Sequence, residues 1–174
     1  MTIQILEQII EQYGKDIYSF CLRLTGQKEA AEELYQDVWL MALKQIDVLE
    51  EDKNIRSFLL SVAISRWHNQ KRKYAWRKRI VPNIEYVDEM VNQQAEEKEE
   101  GLSRFLNKER NEVVKAAVAK LKDRYRIPIM LFYMEEMTIK EIADLLQIPQ
   151  GTVKSRLNYA KKLLKKELEE YIDG

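Results

Sequence analysis

Cysteine and histidine are almost absent from this chain, and their scarcity excludes several kinds of chemistry. A single cysteine, Cys21, excludes an internal disulfide and is typical of a protein that folds in a reducing compartment. With His68 as the one histidine, the sequence offers no zinc cluster and no triad for nucleophilic catalysis. No glycine-rich phosphate loop is present either. We therefore predict a protein that is not an enzyme and that needs no metal or other cofactor.

Long apolar runs and strand-like alternation are also lacking. No apolar segment approaches the roughly 18–20 residues that cross a bilayer, so the sequence predicts no membrane insertion and a cytoplasmic location. Only five glycines and three prolines occur in 174 residues. Apolar residues recur instead at spacings of three and four, which is the helical period. The predicted fold class is all-α.

Charge of one sign is missing from whole segments, although the formal net charge is zero. Residues 66–80 carry seven basic side chains and no acidic one, and residues 154–166 carry six and none. Residues 85–100 carry seven acidic side chains and one basic. Because nucleic-acid binding depends on the local field, the pattern predicts two basic surfaces separated by an acidic stretch.

This segregation predicts two small helical domains joined by an acidic flexible linker. The predicted bounds are 1–80, 81–110 for the linker, and 111–174. In the first domain, the apolar spacing predicts helices over 3–26, 28–45 and 57–79, with a polar connection over 46–56. The core side of the second helix is predicted as Ala31, Leu34, Val38 and residues 40–43. Residues 113–135 are predicted to form supporting helices of the second domain.

The second domain contains the signature of a helix-turn-helix. Thr138 and Glu141 form a capping box that begins a short amphipathic helix. Pro149 ends that helix, since it disfavours helical backbone at Ile148, and it suits the start of another. The next helix has an apolar side and a basic outer side, as a DNA-reading helix does. The alternative is a helical hairpin whose lysines are only solvated.

Two polar surfaces of the first domain can be interpreted from the sequence, the first of them in two ways. Aromatic residues, Trp67, Tyr74 and Trp76, alternate with cations, which suits single-stranded nucleic acid because bases stack on aromatic faces. The same aromatics could instead pack inward while the cations stay solvated. The acidic stripe around Glu33 and Asp37 is, taken alone, a solvated helix face.

Three runs of residues resemble one protein family. Residues 151–157, GTVKSRL, and the preceding Glu141-Ile142-Ala143 resemble the DNA-binding domain of bacterial extracytoplasmic-function sigma factors. Residues 31–39, AEELYQDVW, are similar to the helix by which these factors bind the clamp of RNA polymerase. Residues 57–64, SFLLSVAI, resemble the helix that leads into promoter melting.

The resemblance implies partners and site residues. The partners are core RNA polymerase, promoter DNA as duplex and as melted non-template strand, and an anti-sigma factor. The residues implied to contact polymerase are Glu33, Gln36 and Asp37. Those implied at the −10 element and the single strand are Asn54, Ser65, Trp67, His68, Asn69, Arg72, Lys73 and Trp76. Those implied at the −35 element are Thr152, Lys154, Ser155, Arg156, Asn158, Lys161 and Lys162.

The chain departs from the family pattern at several positions. Its residues there are Phe58 where Trp is usual, Ile64 and Ser65 for an Arg-Asn pair, Asn69 for Asp, Gln147 for Gly and Pro149 for Ser. Two other function classes stay open on the sequence: a helix-turn-helix regulator that never engages polymerase, and a helical adaptor that does not bind DNA.

Overall fold

The computed structural model describes residues 2–51, 54–80 and 112–173, and every regular element in these ranges is helical. The predicted all-α class is therefore confirmed. The chain forms two compact units, one with the described residues up to 80 and the other with those from 112. The predicted linker over 81–110 lies outside the described residues.

The first unit is built from three long helices and a short one. They are α1 (Thr2–Thr25), α2 (Lys28–Lys44), α3 (Ile46–Glu51) and α4 (Ile55–Ile80). Helices α1, α2 and α4 pack against one another in pairs. Their shared core contains Ile17, Phe20, Leu24, Leu34, Val38, Leu59, Leu60 and Ala63. Gly26 ends α1 in the left-handed conformation, φ 72°, where a residue without a Cβ carries no steric penalty.

Two predictions about this unit were wrong. The connection over 46–56 contains α3, which forms because Ile46 and Leu49, three residues apart, are both buried. Within residues 40–43, predicted as core, Ala42 is buried but Leu40 and Leu43 are 56 % and 43 % exposed. The reason is the helical period: Ala42 follows Val38 by four residues, whereas Leu40 and Leu43 lie on other sides of α2.

The second unit contains the helix-turn-helix. Residues 112–120 form α5, and they are followed by α6 (Asp123–Ile129), a single π-helical turn (Met130–Met134), α7 (Ile139–Leu146) and α8 (Gln150–Asp173). Helix α8 packs against both α6 and α7. The core of this unit contains Val118, Ile127, Met130, Leu131, Ile142, Val153, Leu157 and Ala160.

The local signals at the helix-turn-helix act as predicted. The Thr138 hydroxyl accepts from the Glu141 amide at 3.1 Å, and the Glu141 carboxylate accepts from the Thr138 amide at 2.8 Å. This confirmed capping box contributes about 1 kcal/mol to helix stability. Pro149 stands immediately before α8, and its carbonyl accepts from the Thr152 and Val153 amides. Hydrogen bonds therefore stabilise the first turn of both helices of the helix-turn-helix.

Gln147 occupies the left-handed conformation at the end of α7, with φ 55° and ψ 47°. A side chain with a Cβ is strained there, whereas glycine is not. We expect Gln147→Gly to stabilise the second unit by about 0.5–1 kcal/mol, because the relief of strain exceeds the added entropy of the unfolded chain. Urea unfolding of the full chain, followed through the transition of this unit, measures the change.

The matched control for that substitution is Asp144→Gly. Asp144 is exposed within α7, where glycine lowers stability by several tenths of a kcal/mol. If both glycine variants were destabilised alike, the left-handed backbone at Gln147 would not be a source of strain.

Candidate nucleic-acid interface

Helix α8 presents polar side chains on one side and anchors itself by the other. Val153, Leu157 and Ala160 are buried at spacings of four and three. The residues predicted to contact the −35 element occupy the rest of the helix surface. Lys154, Ser155, Asn158, Lys161 and Lys162 are exposed, and Thr152 and Arg156 are half-buried. All seven belong to one helix, so the structure brings them together on a single element.

The Ser155 hydroxyl lies near the start of α8, and Ser155 is exposed. The Ser155 hydroxyl donates to the Thr152 carbonyl at 3.1 Å, so its proton is used within the helix while its oxygen stays at the surface. An exposed hydroxyl oxygen can accept from a base or from a bridging water. Lys154 and Asn158, one helical turn apart, flank this hydroxyl on the exposed surface.

The basic and aromatic half of α4 divides into two parts. Trp67 is half-buried, and Lys71 Nζ lies 4.8 Å from its ring centroid. Residues 71–77 are all exposed, and Trp76 is 64 % exposed. Inward packing therefore applies to Trp67, whereas binding of single-stranded nucleic acid by the exposed part of the helix stays a prediction. Trp67 packs inward, whereas Trp76 presents its ring to solvent among the cations Arg72, Lys73 and Arg77.

The remaining predicted residues of the first unit have different surroundings. Asn54 caps α4, since its side-chain oxygen accepts from the Ser57 amide at 3.2 Å. Ser65 and Asn69 are exposed one turn apart on α4, and His68 is half-buried. Ile64, which stands where the family usually has Arg, is only 5 % exposed and forms part of the core. An apolar side chain suits this position because the side chain packs in the core and is not exposed to solvent.

A mixed acidic and apolar stripe runs along the outside of α2. Glu33 and Gln36 are exposed, and Asp37 is half-buried with its carboxylate accepting from Gln70 Nε2 at 3.4 Å. Leu40, four residues after Gln36, and Leu43, three residues after Leu40, continue the stripe. Reasoning from sequence missed these two leucines as surface residues, although their offset from the Ala31–Leu34–Val38 face was visible.

Cys21 is a buried core residue and not a reactive thiol. Burial raises the pKa of its thiol to about 12, so the group stays protonated at neutral pH. Among residues 2–51, 54–80 and 112–173, no three His, Cys, Asp or Glu side chains are placed to hold a metal ion. Within the same ranges, no helix is both long and apolar enough to cross a membrane.

Comparison with known proteins agrees with this geometry. The family model for sigma-70 region 2 matches residues 9–77 of the sequence, and the family model for sigma-70 region 4 matches residues 111–164. The chain is 27 % identical to the ECF RNA polymerase sigma factor SigW of Bacillus subtilis, over 93 % of this chain and 88 % of SigW. It is 26 % identical to SigM of the same organism, over 92 % of this chain and 93 % of SigM.

A solved structure has the same fold. The sigma factor RpoE from Bartonella quintana, in complex with the anti-sigma factor NepR, superposes with a TM-score of 0.77 at 20 % identity. The superposition covers 94 % of this chain and 96 % of RpoE. The two regional matches, with α2 and α4 in one and the helix-turn-helix in the other, place the chain among the sigma-70-type sigma factors.

Within that class, the relatives that it matches over nearly its whole length are of the extracytoplasmic-function group, and the chain belongs to this group. Its function is that of a promoter-directing sigma factor, whose partners are core RNA polymerase and promoter DNA.

Proposed function

We propose that three surfaces of this non-enzymatic subunit divide the work of promoter selection. Helix α8 reads the −35 element, the exposed end of α4 binds the −10 element and the melted strand, and the outer stripe of α2 binds the polymerase clamp. The observation that carries the proposal is α8, a helix with a buried apolar side and an exposed side that is free of acidic residues from Lys154 to Lys166.

At the −35 element, α8 lies in the major groove with its N-terminal part against the base edges. Thr152, Lys154, Ser155 and Asn158, all within the first nine residues of α8, read bases. Arg156, Lys161 and Lys162 contact phosphates, and these contacts set the register of the helix on the duplex without specifying sequence.

At the −10 element, the exposed part of α4 serves the single strand. Trp76 stacks on an unpaired base, while Arg72 and Lys73 neutralise phosphates on either side. Ser65, His68 and Asn69 contact the adjoining DNA. Trp67 acts through packing, since its ring is half-buried beneath Lys71. Asn54 caps the start of α4 and, since it is exposed, can also contact DNA.

At the polymerase, the α2 stripe combines charge with apolar area. Glu33 and Gln36 supply polar contacts, and Leu40 and Leu43 supply the apolar surface that an interface core needs. Asp37 completes the acidic patch while also bonding to Gln70 of α4. Because RpoE is seen with an anti-sigma factor, we extend the proposal to an anti-sigma partner that covers the DNA-facing or polymerase-facing surfaces in the cytoplasm.

Run-off transcription tests the proposal. Purified core polymerase is given a pool of random promoters with and without this chain, and the transcripts are sequenced. Selective initiation that depends on the chain supports the proposal and reveals both promoter elements. Binding to duplex DNA without selective initiation would favour a helix-turn-helix regulator, and the absence of both would favour a helical adaptor.

A further inference from the structure

The segment before the helix-turn-helix contains a π-helical turn, Met130–Met134. The Glu135 amide donates to the Met130 carbonyl at 3.1 Å, five residues back, and the Met137 amide donates to the Leu131 carbonyl at 3.0 Å. Such turns are often found at functional sites.

The π turn divides its residues between the core and the surface. Met130 and Leu131 are fully buried, whereas Tyr133 is 53 % exposed. The Phe132 ring meets the Tyr133 ring edge to face, with centroids 4.9 Å apart. That contact and the turn together restrain a large aromatic side chain at the surface of the second unit.

Tyr133 contacts a residue that the proposed function uses. Lys161 Nζ lies 5.7 Å from the Tyr133 ring centroid, within the range of a cation–π interaction. Lys161 follows Asn158 by three residues and Lys154 by seven, so all three share one side of α8. A lysine side chain has four rotatable bonds, and ordering it on binding costs entropy.

We propose that Tyr133 is a positioning residue for DNA binding, whose ring holds the Lys161 ammonium group in place for a phosphate beside the −35 element. The inference rests on the proposed function and adds to it a residue outside the helix-turn-helix. The ring acts before binding, by restraining Lys161, and the lysine alone touches DNA.

The test measures the affinity of the reconstituted holoenzyme for a promoter selected in the run-off experiment, as a function of salt. Tyr133→Leu removes the ring and is expected to weaken binding about two- to fivefold, the range of an exposed cation–π contact. Tyr133→Phe keeps the ring and is expected to bind as the wild type does. Tyr171→Leu, which removes another exposed tyrosine, is the matched control.

Lys161 supplies the second half of the test. Lys161→Met is expected to lower the salt slope, the fall of log affinity with log salt, by about 0.9, as the loss of one phosphate contact does. If Tyr133 acts through Lys161, the double variant Tyr133→Leu/Lys161→Met binds no more weakly than Lys161→Met. A purely structural role for Tyr133 would give additive losses and a lowered melting temperature of Tyr133→Leu.

Three results would overturn the inference while the proposed function stands: wild-type affinity of Tyr133→Leu, additive losses in the double variant, or equal losses in Tyr133→Phe and Tyr133→Leu. The last would mean that the hydroxyl itself contacts DNA. A wild-type holoenzyme without affinity for any promoter would overturn the proposed function, and this inference with it.

Discussion

The charge reversal Glu33→Lys is expected to weaken binding to core RNA polymerase by at least about 30-fold. Glu33 is exposed on the outer stripe of α2, so the substitution leaves the core of the first unit unchanged. Reversing a charge within an interface costs about 2–5 kcal/mol, since an attraction is lost and a repulsion is gained. Equilibrium binding of labelled chain to core polymerase measures the effect directly.

Glu11→Lys is the control for this reversal, because it makes the same change of net charge at an exposed position of α1. It is expected to bind core polymerase within about twofold of the wild type. Asp37→Arg is a less clean variant, since it also removes the acceptor of the Gln70 amide. Equal losses for Glu33→Lys and Glu11→Lys would show that overall charge, and not the α2 stripe, governs the association.

Equilibrium binding to core polymerase also tests the apolar part of the α2 stripe. Leu40→Ser is expected to weaken polymerase binding without lowering the melting temperature of the chain, since Leu40 is already exposed. Loss of stability would instead show that the side chain contributes to packing.

Lys154→Ala is expected to reduce the affinity of the holoenzyme for its own −35 element by about 5- to 150-fold. A side chain that reads a base edge contributes about 1–3 kcal/mol to discrimination, and that discrimination is lost with the side chain. Lys154 is exposed in the first turns of α8, so the fold does not depend on it. Selection from promoters with a randomised −35 element should show relaxed preference at one base position.

The pattern of loss separates a base reader from a phosphate contact. A base reader loses affinity for the preferred sequence and little for others, whereas a phosphate contact weakens binding to all sequences alike and lowers the salt slope by about 0.9. Lys115→Ala, at an exposed position of α5, is the control for removal of one positive charge. Uniform weakening by Lys154→Ala would reassign Lys154 to the phosphate backbone.

Local signals in the sequence predicted most of the helical architecture. The Thr138–Glu141 capping box forms as predicted because both partners lie within four residues of each other. Pro149 separates the two helices of the helix-turn-helix as predicted, because its ring restricts its own backbone and that of Ile148. The resemblance to sigma factors rested on short continuous runs, and the regional matches confirm it.

The predictions that went wrong concerned which residues are buried. Leu40 and Leu43 are as apolar as Leu34, yet Leu34 is buried and they are exposed, because only one side of α2 meets α1 and α4. Ile46 and Leu49 lie in a stretch with many acidic residues, and composition therefore hid the buried turn of α3.

The amino-acid sequence by itself determined the all-α class, the capping and ends of the helix-turn-helix, and the family, since each depends on residues that are close along the chain. Only the tertiary structure decided that Trp67 packs inward while Trp76 faces solvent, that Ile64 is a core residue, and that Tyr133 meets Lys161. Those outcomes depend on which surfaces of different helices meet. The spacing of residues along one helix restricts such contacts but does not specify them.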